Sequence, residues 1–115
     1  MIIKGEVIRG AQLGRKLGFP TANIDAQDID IKENGVYAST VEVDGKIYKA
    51  MSNIGLRPSV DGTTRLLETH IFDFEGDLYG RVLEIELLRK IRDEKRFASI
   101  DELRQQLERD ARECR

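Results

Sequence analysis

The chain has 115 residues, with 19 Lys and Arg against 21 Asp and Glu and a formal charge of −2. That length suits one domain with a core that needs neither disulfides nor a structural metal. Hydrophobic residues at 40% and charged residues at 35% mark a folded globular chain, not a disordered one. Nucleic-acid binding predicts a basic excess that is missing here. A disulfide scaffold needs paired cysteines, and Cys114 stands alone.

Charge interrupts Met1-Ile2-Ile3-Lys4-Gly5-Glu6 before a signal-peptide core forms. No apolar run approaches the ~20 residues of a membrane-spanning helix. A single cysteine suits a reducing compartment, so the cytoplasm is expected, with no membrane association.

In chain order, Ile3 to Arg9 reads as a strand. Gly10-Ala11-Gln12-Leu13-Gly14-Arg15-Lys16-Leu17-Gly18 follows, rich in glycine and cations. Glycines let a backbone approach phosphate closely, and consecutive N–H groups beside Arg15 and Lys16 form an anion nest. The spacing is neither that of a P-loop nor that of a dinucleotide-binding fold. A glycine turn with solvated cations is the plain alternative. Phe19-Pro20-Thr21-Ala22-Asn23 comes next, and its Thr21 hydroxyl and Asn23 amide oxygen are neutral donors suited to Mg²⁺ held with nucleotide phosphates. A turn in which both side chains bond their own backbone is the alternative there.

Val36 to Val43 and Lys46 to Ala50 flank Asp44-Gly45, the signal of a type I′ hairpin. Asn53 to Ser59 reads as a strand entering a loop, where Arg57 meets either an anion or a structural ion pair. Leu66 to Phe74 and Tyr79 to Leu88 form a second pair of strands around Glu75-Gly76-Asp77. On the first, Leu66, Glu68, His70, Phe72 and Phe74 share a face. A carboxylate among bulky apolar neighbours is either a shielded general base for a hydroxyl nucleophile or a residue exposed at a barrel rim. His70 has no companions for a zinc site. On the second strand Leu83, Ile85 and Leu87 face one way, Glu84 and Glu86 the other.

Residues 1–88 carry 10 basic and 14 acidic side chains, and residues 89–115 carry 9 and 7. The change coincides with helical spacing. Ile91 to Phe97 is a charge run of the solvated kind, containing Arg92. Ser99-Ile100-Asp101-Glu102 fits a capping box, and Ile100, Leu103, Leu107 and Ala111 form a stripe for packing on the sheet. Strands over about residues 1–90 and a helix over about 99–113 make one domain, 1–115. Antiparallel strands without crossover helices favour a small barrel or sandwich.

Taken together, the blocks resemble the riboflavin kinase family. They are Gly5-x-Val7-x-x-Gly10, Gly14-Arg15-Lys16-Leu17-Gly18-Phe19-Pro20-Thr21-Ala22-Asn23, Asn34-Gly35-Val36-Tyr37 and Asn53-Ile54-Gly55-x-Arg57-Pro58. Leu67-Glu68-Thr69-His70-Ile71-Phe72-Asp73-Phe74, Asp77-Leu78-Tyr79-Gly80 and Leu88-x-x-Ile91-Arg92-Asp93-Glu94-x-x-Phe97 complete them, in family order. The resemblance implies a mainly β fold, a six-stranded antiparallel Greek-key barrel with a C-terminal helix. It implies transfer of the γ-phosphoryl group of ATP to the 5′-hydroxyl of riboflavin, giving FMN and ADP with Mg²⁺. Carried onto this chain, Gly10, Gly14, Arg15, Lys16 and Thr21 contact ATP phosphates, Thr21 and Asn23 hold the metal, and Glu68 is the catalytic base. Tyr79 and Arg92 line the flavin site. Bacterial members commonly carry a nucleotidyltransferase domain before this one. No segment here could serve as that domain, so FAD synthesis is not expected of this chain, and an adenylyltransferase domain is the expected partner if it was excised. Ser59 stands where the family more often has Thr. A flavin or nucleotide sensor on the same barrel is the rival reading, and a nucleic-acid-binding barrel is a third, disfavoured by seven aromatics (three Tyr, four Phe) and the negative charge.

Overall fold

In a computed structural model, the described residues are 1–9, 17–27, 29, 33–59 and 62–115. Six strands, β1 (Ile2–Glu6), β2 (Ala22–Asp25), β3 (Gly35–Val43), β4 (Lys46–Ser59), β5 (Gly62–Ile71) and β6 (Val82–Arg92), precede one helix, α1 (Ile100–Cys114). All pairings are antiparallel, in the order β1-β6-β3-β4-β5-β2. The run β6-β3-β4-β5, with the last strand returning beside the first of a meander, is a Greek key.

The hairpin forms where Asp44-Gly45 predicts it. Asp44 and Gly45 have φ of 53° and 84°, as a type I′ turn requires. The sheet curls until its edges nearly meet. Ile8 N–H donates to Asn23 O at 2.7 Å in a bridge between the two edges. A Cβ built on Gly5 would lie 2.5 Å from Ile24 Cγ2, so the seam closes only because residue 5 has no side chain.

The barrel interior is filled by alternate residues. Ile24, Leu67 and Ile54 are register partners across β2, β5 and β4, and all are buried, as are Leu83, Ile85 and Leu87 on β6. Each such side chain contributes about 1.5–3 kcal/mol. Three hydroxyls also lie inside. Ser39, Ser52 and Thr69 form a buried chain at 2.8 Å per link, which removes the cost of desolvating them.

The outer face has a second apolar cluster, Ala38, Met51 and Phe72 under Ala111 and Cys114 of α1. Ser99 caps the helix by accepting from Glu102 N–H at 3.2 Å, and the Glu102 carboxylate accepts from Ala98 N–H at 2.8 Å. Leu107 and Ala111 of the expected stripe pack on the sheet, but its first member does not. Ile100 is exposed, whereas Asp110, Ala111 and Cys114 are buried, because the helix is drawn in by its polar Asp110 as well as by apolar side chains.

Other boundaries also differ. Ala22–Asp25 is a strand, although its sequence reads as a turn, because β5 offers a free edge that it completes. β5 ends at Ile71, since Asp73 has φ of 60° and turns the chain; Phe72 then joins the outer cluster and Phe74 packs against the inner one. β6 begins at Val82 and runs to Arg92, taking in part of the expected charge run.

Candidate active site

The register of β2, β5 and β4 assembles the site. Asn23 is opposite Glu68, and Glu68 is opposite Asn53, so their side chains emerge on one outer face. Leu67 and Thr69 on either side of Glu68 point into the barrel. Glu68 is therefore neither a core residue nor a rim residue: its side chain keeps 23% exposure.

Arg57, also outward on β4, pairs its Nε with Glu68 Oε1 at 2.7 Å. Its Nη1 lies 3.5 Å from Glu94 Oε1 and donates to Leu56 O at 2.8 Å. A Cβ on Gly55 would collide with Glu94 Oε1 and lie 2.8 Å from Arg57 Nη1, so this arch over β4 exists only above a glycine. The sequence leaves Arg57 between an anion site and an ion pair; in the structure it is the ion pair, and its anion is the candidate base. Oε2 of Glu68 carries no partner among the described residues and is free to accept a substrate proton.

Thr21 Oγ1 donates to Asn23 Oδ1 across 3.2 Å. Two cis ligands of an octahedral Mg²⁺, each at about 2.1 Å, stand about 3 Å apart. The pair thus has the separation and the hard oxygen chemistry for Mg²⁺, but brings no charge. Among the described residues no cluster of three His, Cys, Asp or Glu could hold a metal. A cation here needs anionic ligands from its substrate.

His70 supports this corner. Its Nδ1 bonds Pro20 O at 2.7 Å, and its ring meets Phe19 and Phe72 edge-on at 5.3 Å. Burial, partly offset by the Pro20 hydrogen bond, lowers its pKa, so the ring is neutral and donates from Nδ1. This contact ties the segment before Thr21 to β5.

An open cleft of about 160 Å³ adjoins Thr21 and Asn23 at the barrel seam, walled by Val7, Ile8, Arg9, Pro20, Leu78 and Tyr79. The Arg9 guanidinium stacks 4.2 Å from the Tyr79 ring centre. Arg92 does not contribute to this cleft, so the two residues assigned together to the flavin are not brought together. Arg92 instead donates from Nε and Nη2 to the Asp110 carboxylate at 2.8–3.1 Å, and Gln106 Nε2 adds a bond at 2.9 Å. It is therefore no solvated charge. Gly10, Gly14, Arg15 and Lys16 lie outside the described residues.

The model of one protein family, Flavokinase (riboflavin kinase), matches residues 1–115. The chain belongs to the riboflavin kinase family. A bifunctional riboflavin kinase/FMN adenylyltransferase of Haemophilus influenzae is 45% identical over 94% of this chain and 35% of its own length. An RNA-binding riboflavin kinase of Bacillus subtilis is 44% identical over 95% of this chain and 47% of its own. The chain thus spans about a third to a half of these relatives. Among solved structures, riboflavin kinase from Trypanosoma brucei superposes with a TM-score of 0.64 at 26% identity, over 98% of this chain and 76% of that one. A Streptococcus pneumoniae chain titled a macrolide-efflux protein reaches 0.85 at 37% identity, over 96% of this chain and 37% of that one. Among the described residues no helix is long and apolar enough to cross a membrane.

The family's Greek-key barrel and terminal helix are both present. Sequence reasoning missed Asn53 and Glu94. Asn53, Gly55 and Arg57 alternate as an outward-facing set on β4, which is the signal that could have found Asn53. Glu94 could not be found so, because it reaches β4 only through the fold.

Proposed function

We propose that the protein transfers the γ-phosphoryl group of ATP to the 5′-hydroxyl of riboflavin, releasing FMN and ADP. The observation that carries this is the adjacency of the neutral oxygens of Thr21 and Asn23 to the Glu68 carboxylate on the neighbouring strand. A phosphate-side ligand set and a proton acceptor one strand apart match a hydroxyl-to-phosphate transfer.

Glu68 Oε2 accepts the proton of the 5′-hydroxyl as its oxygen bonds the γ-phosphorus, and the bond from that phosphorus to the ADP oxygen breaks. Arg57 holds Oε1 and so fixes the direction of Oε2. Thr21 and Asn23 are the residues that would hold Mg²⁺ together with the phosphates, and the chemistry it supplies when bound is neutralisation of phosphate charge. Gly10, Gly14, Arg15 and Lys16 belong to the phosphate side on sequence grounds. The seam cleft beside Thr21 suits the rest of the nucleotide, which moves Tyr79 to the nucleotide side. The flavin then lies beyond Glu68, towards Arg57 and the Arg92 end of the sheet.

The test is FMN formation from riboflavin, ATP and Mg²⁺, followed by chromatography, with Glu68→Ala alongside. FMN from the wild type and a ~10²–10⁴-fold lower turnover in the variant are expected. Riboflavin binding without FMN would turn the reading towards a sensor. Equal turnover in both proteins would remove Glu68 from the chemistry.

A further inference from the structure

Among the described residues, Asn53 Oδ1 is the buried side-chain oxygen or nitrogen that has no hydrogen-bond partner. Buried acceptors are normally paired, so an orphan beside a reactive group calls for an explanation. Its neighbours in the sheet cannot supply a donor. On one side stands Glu68, whose ionised carboxylate only accepts, and on the other Val36, which is apolar. Arg57, four positions along the same strand, is already engaged by Glu68, Glu94 and Leu56 O.

Asn53 also occupies a defined place in a row. Asn23, Glu68, Asn53, Val36 and Arg92 are successive register partners across β2, β5, β4, β3 and β6. Neighbours in such a row stand one strand spacing apart, about 4.8 Å. At the Arg92 end the row is sealed by Asp110 of α1. In-line displacement puts the attacking and leaving oxygens on opposite sides of the phosphorus. With the phosphates at the Asn23 end and the reacting hydroxyl at Glu68, the body of the acceptor must leave the other way, over Asn53.

We propose that Asn53 is a specificity-determining residue whose Oδ1 accepts a hydrogen bond from the hydroxyl next to the reacting one, the 4′-hydroxyl of the riboflavin polyol chain. Glu68 and Asn53 then read two successive hydroxyls of one chain, and an acceptor alcohol without the second is bound more weakly. This rests on the kinase reading above.

The experiment titrates riboflavin and 4′-deoxyriboflavin by flavin fluorescence into the wild type, Asn53→Ala and Asn53→Val, the latter keeping a branched side chain suited to a strand. The wild type is expected to favour riboflavin by about three- to tenfold, the worth of one neutral hydrogen bond, and both variants to bind the two flavins alike. KM for riboflavin should rise by the same factor with kcat nearly unchanged, because the contact is made before and during transfer alike. Glu68→Ala should keep the discrimination while losing turnover. Thermal melting should show both variants as stable as the wild type or more so, since the lost acceptor had no partner. Variants that retain the wild-type preference overturn this inference alone. A wild-type protein that binds no riboflavin overturns the kinase reading and this inference with it.

Discussion

Glu68 and Asp110 are carboxylates on the same outer side of one sheet, and their surroundings differ in kind. Asp110 is 2% exposed and receives Arg92 on both oxygens and Gln106 as well. Among the described residues, Glu68 keeps 23% exposure, one ion pair and a free oxygen, beside an orphaned amide oxygen on the next strand. Where the helix covers the sheet, the polar groups around Asp110 are satisfied. Around Glu68, where α1 does not reach, a buried polar oxygen is left without a partner among the described residues. A saturated carboxylate holds structure together, while one with an open lone pair can take a proton.

That contrast predicts opposite outcomes for the two acids. The largest effect is the loss of turnover in Glu68→Ala, which should leave the melting temperature nearly unchanged because Arg57 retains Glu94 and some access to water. Asp110→Ala should do the reverse. It strands the Arg92 guanidinium in a largely buried place and should cost about 3 kcal/mol. The melting temperature should then fall by about 10 °C or more, read by calorimetry. If Asp110→Ala were as stable as the wild type, the sealed half of the comparison would be wrong.

A smaller effect is expected at His70. Its pKa is lowered by burial, so the unfolded chain takes up the proton first as pH falls below about 6.5, the unperturbed value. Stability should be full above that pH, decline as pH drops towards the lower folded value, and level off beneath it. His70→Asn can still donate to Pro20 O but does not titrate. Stability measured by urea unfolding should lose this component in the variant, and identical pH profiles would refute it.

The smallest effect concerns Cys114, whose thiol is pushed up to about 11, first by burial and then by the nearby Asp110 charge. With so little thiolate at pH 8, the folded protein should resist alkylation. Rapid labelling of the native state, followed by mass spectrometry, would show that α1 is not seated as described.

Most of the β architecture was legible because it is local. Alternation marks Leu83, Ile85 and Leu87, Asp44-Gly45 marks the hairpin, and Ser99 with Glu102 marks the helix start. β2 was not legible, because Ala22–Asp25 is too short to show a period and is a strand only by pairing with β5. The chemical types at Thr21, Asn23 and Glu68 could be named from the sequence, since hard oxygens and a carboxylate among apolar residues are local anomalies. That Asn23 and Glu68 are neighbours, 45 positions apart in the chain, is a matter of strand register.

The sequence by itself determined the family and the barrel class and named the candidates for the phosphate side and the base, because these reside in short motifs and in period-two patterning. Only the tertiary structure decided which polar groups are spent and which remain open. Arg92 and Asp110, 18 positions apart, cancel each other when α1 docks, whereas Asn53, Glu68 and Asn23 line up on strands from three parts of the chain. Satisfaction of a hydrogen-bonding group depends on what non-local packing brings beside it, and no residue carries that in its own neighbourhood of the chain.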